Sequence, residues 1–202
     1  MNFLAHAFLV APDADLQIGG FLGDFVRGRS FAQNYPPRIT EGIWLHRHID
    51  TFTDNSRRVR ACNALFRPTQ GKYASVLTDI FFDHLLARNW DRLTSVAFSD
   101  FITNFYAVLA ESASIFPNDA RYVQRRMREY DWLGSYGSAE GVQRALRGLS
   151  RRVRFENRIA EAWADFEANE QAISEHFMVF LPEVQAFVNH QIQQIAHRSH
   201  TP

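Results

Sequence analysis

The stretch that most constrains this chain is YASVLTDIFFDHLLARNW, residues 73 to 90, which is apolar enough to sit at the centre of a fold yet carries Asp79, Asp83 and His84. Wound as a helix at about 100° per residue, these three share an arc of roughly 140° with Val76, Ile80 and Ala87, so ionisable groups point where apolar groups point. Carboxylates are seldom buried without a partner. A divalent cation satisfies Asp and neutral His together, and adjacent Asp and His on a helix offer ligands in neighbouring directions. The stretch is the candidate floor of a metal site.

The rest of the chain reads in the same period. Apolar residues recur at helical spacing over 2–10, 15–27, 38–53, 57–66, 99–116, 117–132, 138–150 and 155–195, the last interrupted near Pro182, and no alternating strand pattern or internal repeat is present. At 202 residues the chain suits one core. The expectation is an all-α, single-domain helical bundle over residues 1–195, followed by a polar tail at 196–202.

Several function classes drop out. Cys62 is the single cysteine, which rules out an internal disulfide and a cysteine-rich zinc site, and it reads as a small buried hydrophobe. The opening MNFLAHAFLV lacks a basic leader and is too short to span a bilayer, so a cytoplasmic protein with no membrane anchor is expected. Net charge is zero, which gives no general reason to expect nucleic acid as partner. The distribution says more: Lys72 is the only lysine, and residues 121–158 carry ten arginines against Glu129, Asp131, Glu140 and Glu156. Residues 159–187 carry six acids and no Lys or Arg. One basic face meeting an acidic macromolecule fits this asymmetry, as do solvated helix faces with internal pairs.

Further ionisable groups interrupt apolar helix faces in the first half. His6 stands among Phe3, Leu4, Phe8 and Leu9; Asp24 is flanked by Leu22, Phe25 and Val26, with Arg27 three residues on. His46 and Asp50 are one turn apart on the face of Ile39 and Ile43, a spacing that offers two ligands, or one ligand and its orienter. Arg47 flanks that stripe within reach of a bound phosphate. Independent structural roles for His6, Asp24, His46, Asp50, Asp79, Asp83 and His84 would need seven satisfied partners, whereas one metal centre serves several at once. A thiolate-free mixture of imidazole and carboxylate suits manganese, magnesium, iron or zinc, and neighbouring arginines point to a phosphate substrate. Neither a Gly-x-Ser-x-Gly elbow nor a dinucleotide fingerprint is present.

Five blocks in one order, MNFLAHAFL, GDFVRG at 23–28, YPPRITEGIWLHRHIDTFTDN at 35–55, DIFFDHLLARNW at 79–90 and DWLGSYGSAEGVQRALRGLSRR at 131–152, resemble the acyl carrier protein phosphodiesterase family. The resemblance implies a divergent branch of the all-helical HD phosphohydrolases, although the adjacent pair here is Asp83-His84, the reverse of the naming order. It implies hydrolysis of holo acyl carrier protein to apo protein and 4′-phosphopantetheine, with manganese as the usual cofactor. On that basis Asp24, His46, Asp83 and His84 are the expected core ligands, with His6, Asp50 and Asp79 as ligands or their supports. Arg27 and Arg47 are assigned to phosphate, and Arg144, Arg147, Arg151 and Arg152 to docking the acidic carrier. Two alternatives stay open: an HD-type hydrolase of a nucleotide or other small phosphodiester, and a non-enzymatic helical protein that binds an acidic partner.

Overall fold

The structure, a computed structural model, describes residues 2–199. The chain forms α1 (Phe3–Leu9), α2 (Ala14–Leu22), α3 (Pro37–Asn55), α4 (Arg57–Gln70), α5 (Ala74–Arg88), α6 (Trp90–Leu93), α7 (Phe98–Glu111), α8 (Asn118–Glu129), α9 (Trp132–Ser135), α10 (Ala139–Arg152) and α11 (Ala162–Ser199), with no strand among the described residues. The expected all-α class is what the chain adopts. No helix is long and apolar enough to cross a membrane among the residues described.

Helix starts follow local chemistry. The side chains of Asn2, Asp13, Ser56 and Ser138 accept backbone N–H groups at the heads of α1, α2, α4 and α10, and Pro37 opens α3, where its missing N–H costs nothing. In α5 every residue from Ile80 to Ala87 is buried, the mark of a helix enclosed on all sides. Phe81 lies between the parallel rings of Phe66 on α4 and Phe166 on α11, with centroids 5.3 and 4.5 Å away. Phe82 meets Phe177 and Phe180 of α11. The expected central stretch is thus the axis of the core. Against it, α2 and α3 cross at Gly19 and Gly42, so closely that a Cβ on Gly19 would run into the Ile39 carbonyl.

Element ends depart from the sequence reading in several places; α4 continues through Pro68 to Gln70 and α7 ends at Glu111. Helix α2 ends at Leu22, not Arg27, so Asp24 and Arg27 lie in the segment after it and form no one-turn helical pair. Helix α11 begins at Ala162 rather than near Phe155, and Pro182 does not interrupt it. Pro182 sits on a face it shares with exposed Met178, so the backbone carbonyl deprived of its i+4 N–H is on the solvent side, while Leu181 and Val184 stay buried. The helix also continues through residues 196–199, read from sequence as part of a polar tail; residues 200–202 lie outside those described.

Candidate metal centre

Helix α3 is the platform. One turn apart on its inner face, His46 Nε2 lies 3.1 Å from Asp50 Oδ2. Helix α1 brings His6 to the other oxygen, with Nε2 3.1 Å from Asp50 Oδ1. The two imidazoles stack with centroids 4.1 Å apart and planes 20° from parallel. All three donors lie within 4.8 Å of one another, the one such group of three or more among the described residues. Asp24 Oδ1 stands 3.7 Å from His46 Nε2 on the open side, its side chain 50% exposed, while His6 and His46 are buried. The cluster is therefore closed from below and reachable across the Asp24–Asp50 rim.

Two local features make room for it. Gly23 ends α2 directly over His46, where a Cβ would overlap the imidazole. Arg47 then holds the segment that follows: its guanidinium donates 2.7 Å to the Val26 carbonyl and 2.6 Å to the Gly28 carbonyl and sits over the rings of Phe31 and Trp44. Both are site-shaping residues. The glycine was invisible in sequence because its role depends on which side chain lies opposite.

Electrostatics favour a cation here. Burial, with His46 beside it, drives the His6 imidazole down to about 3, so the ring is neutral and keeps a lone pair at ordinary pH. Burial opposes charge on Asp50 too, yet the hydrogen bonds from His46 and His6 hold its carboxyl well below the usual carboxylate range. Asp24 is raised by partial burial and by the Asp50 charge, and Asp79 by burial and by the charges of Asp50 and Asp54. A positive ion at the centre would offset the like-charge repulsion that raises Asp24 and Asp79. The Nδ1 atoms of His6 and His46 are buried with no hydrogen-bond partner, so the polar contacts of both rings lie on the Nε2 side, toward the cluster. Two imidazoles and a carboxylate without a thiolate fit a borderline divalent cation.

The structure brings together only part of the expected ligand set. Asp83 is wholly buried, and its two oxygens accept the backbone N–H groups of Leu4 (3.1 Å) and Ala5 (3.0 Å). Burial pushes its carboxyl up to about 7 against those two bonds. His84 Nδ1 is 2.7 Å from the Tyr136 carbonyl, with the ring edge-on to Trp163 and Phe166. Neither joins the donor cluster, and the reason is physical: both are already bound to backbone groups that would otherwise be buried and unmet. Arg47, expected at phosphate, is similarly committed to carbonyls, whereas Arg27 is exposed. Arg144, Arg147 and Arg151 are exposed on α10, and Arg152 turns back to the Gly148 carbonyl and lies 5.7 Å over Trp132.

A helical fold in which stacked imidazoles and a carboxylate converge at an open rim presents a group that could hold a divalent cation. Comparison with known proteins supplies the family. The family described as acyl carrier protein phosphodiesterase matches residues 1–184. Proteins of that name from Salmonella agona and Salmonella dublin are 34% identical over 194 residues, covering 92% of this chain and 96% of theirs. The one from Salmonella paratyphi A is 32% identical over 187 residues, with the same coverage. No solved structure matches the chain. The chain belongs to the acyl carrier protein phosphodiesterase family.

Proposed function

We propose that this protein hydrolyses the phosphodiester joining 4′-phosphopantetheine to a serine of holo acyl carrier protein, with a divalent cation, manganese first, held by His6, His46 and Asp50 and by Asp24 as a further ligand. The observation that carries the reading is the convergence of three donors within 4.8 Å in a chain that matches this family over most of its length. When bound, such a cation supplies Lewis acidity, acidifying water and offsetting phosphoryl charge. In the reaction a water oxygen bonds to phosphorus as the bond from phosphorus to the serine oxygen breaks. One water proton passes to that oxygen, giving apo carrier and free 4′-phosphopantetheine.

The scissile bond lies at the carrier's own surface, so the carrier must come down onto the rim rather than send a long arm into a tunnel. Half-exposed Asp24 and Asp50, whose side chain is 40% exposed, suit that approach. The neutral His6 imidazole adds no charge, and Asp50 stays ionised. Arg27, in the segment Arg47 holds, is assigned to the phosphoryl oxygens. Arg144, Arg147 and Arg151, at i, i+3 and i+7 on α10, are assigned to steering the acidic carrier, and Arg152 to fixing the end of that helix. The test is intact mass of holo carrier after incubation with the protein and Mn²⁺, with and without chelator. Loss of the phosphopantetheine mass only with metal is the expected result; an unchanged carrier beside folded, metal-loaded protein would overturn it.

A further inference from the structure

Resting on the metal reading above, we infer that Asp83 and His84 are positioning residues that fix His6 in the metal centre by clamping the head of α1. Helix α1 has seven residues, too few to hold itself together in water. Its first intrahelical bond runs from the His6 N–H to the Asn2 carbonyl at 3.2 Å, which leaves the N–H groups of Phe3, Leu4 and Ala5 without a partner in the helix. Asn2 Oδ1 accepts the first at 3.0 Å, and the two oxygens of Asp83 accept the other two. The turn of backbone immediately before His6 is thus bolted to α5 by a residue 78 positions away from Ala5.

His84 completes the circuit. Its Nδ1–H donates to the Tyr136 carbonyl, and the Tyr136 hydroxyl accepts from Asn2 Nδ2 at 3.1 Å. Asn2 is the cap of α1, so adjacent residues of α5 hold the helix directly through Asp83 and through Tyr136 by way of His84. The other ring nitrogen of His84 is buried with no hydrogen-bond partner and the ring abuts Trp163 and Phe166, leaving Nδ1 as its one polar attachment. Asp50 and His46 belong to a nineteen-residue helix and need no such brace. His6 does, because a small tilt of α1 carries its Nε2 away from Asp50. Metal sites are sensitive to supports of this kind, whose loss costs roughly 10–100-fold in affinity.

The test is a double-mutant cycle on metal affinity, using Mn²⁺ for dissociation constants and Co²⁺ for the absorption spectrum of the filled site. Asp83→Asn should raise the Mn²⁺ dissociation constant roughly 10–100-fold while leaving the Co²⁺ bands at saturation unchanged. In a His6→Ala background the same substitution should alter affinity less than about twofold, because its effect runs through His6. Tyr136→Phe, a milder lesion should the first variant fail to fold, should raise the constant by roughly threefold to tenfold, the worth of one hydrogen bond, and again only when His6 is present. Shifted Co²⁺ bands, an equal loss in both backgrounds, or no loss in Tyr136→Phe would each overturn the inference while leaving the metal reading intact. A parent protein that binds neither ion would remove the metal reading and this inference with it.

Discussion

Helices α3 and α5 carry nearly the same polar residues on their inner faces, His46 and Asp50 on one and Asp79, Asp83 and His84 on the other, yet put them to different ends. On α3 the groups meet other side chains, and the carboxylate lies at an opening with 40% of its side chain exposed. On α5, Asp83 has no exposed surface and both oxygens are taken by N–H groups at the head of α1. A carboxylate facing a helix start is taken up there, since a buried N–H left unmet costs about 1–3 kcal/mol. One at a rim, as Asp50 is, bonds instead to imidazoles that can themselves be metal ligands. Residue type on a helix face therefore says that a partner exists, and the neighbouring backbone decides whether that partner is an ion or the chain itself.

The contrast predicts where the molecule will tolerate change. The largest effect should come from Gly23→Ala, which forces the added methyl against the His46 ring. A displacement of His46 should weaken Mn²⁺ binding by roughly 10–100-fold or more, measured by titration, while far-ultraviolet circular dichroism stays helical. Unchanged affinity would mean that His46 is not held where the cluster needs it.

A smaller effect separates the two helices by sign. Between about pH 4 and 6 the unfolded chain protonates His6 while the folded chain, with His6 lowered to about 3, does not, so this group makes stability rise with pH. Over the same window folded Asp83, raised to about 7, keeps a proton that the unfolded chain loses, so it makes stability fall with pH. In chelator-treated protein, the slope of unfolding free energy against pH should drop by up to about 1.4 kcal/mol per unit in His6→Gln and rise by a similar amount in Asp83→Asn, relative to the parent. Urea unfolding at several pH values reads this directly. Slopes that move in the same direction in both variants would erase the distinction between the helices.

The smallest effect on the centre should come from outside both helices. Charge reversal at Arg144, Arg147 and Arg151 should leave Mn²⁺ affinity and turnover of a small phosphodiester unchanged and raise KM for the carrier roughly tenfold. Equal losses on both substrates would assign α10 to the catalytic structure instead of to docking.

How much of this was legible follows from how far each interaction reaches along the chain. The all-α class and the α3 stripe were readable, because helical period and the one-turn spacing of His46 and Asp50 are local patterns. His6 was legible as an imidazole in an apolar turn and, through the family resemblance, as a ligand or the support of one. What Asp83 and His84 do was not readable, because the groups they bind lie 78 or 79 and 52 residues away and are backbone atoms with no sequence signature. Asp24 leaves its helix for a similar reason: Gly23 ends α2 against the ring of His46, a neighbour from a different helix. Pro182 misled because a proline on a solvent face costs a helix less than one facing the core.

The most direct measurement is the anomalous difference map of a crystal grown with Mn²⁺. A single strong peak is expected about 2.0–2.3 Å from Nε2 of His6, Nε2 of His46 and an oxygen of Asp50, with Asp24 closing on it from the rim and Asp83 still bound to the N–H groups of Leu4 and Ala5. A peak coordinated by Asp83 or His84, or none beside the stacked imidazoles, would contradict that expectation.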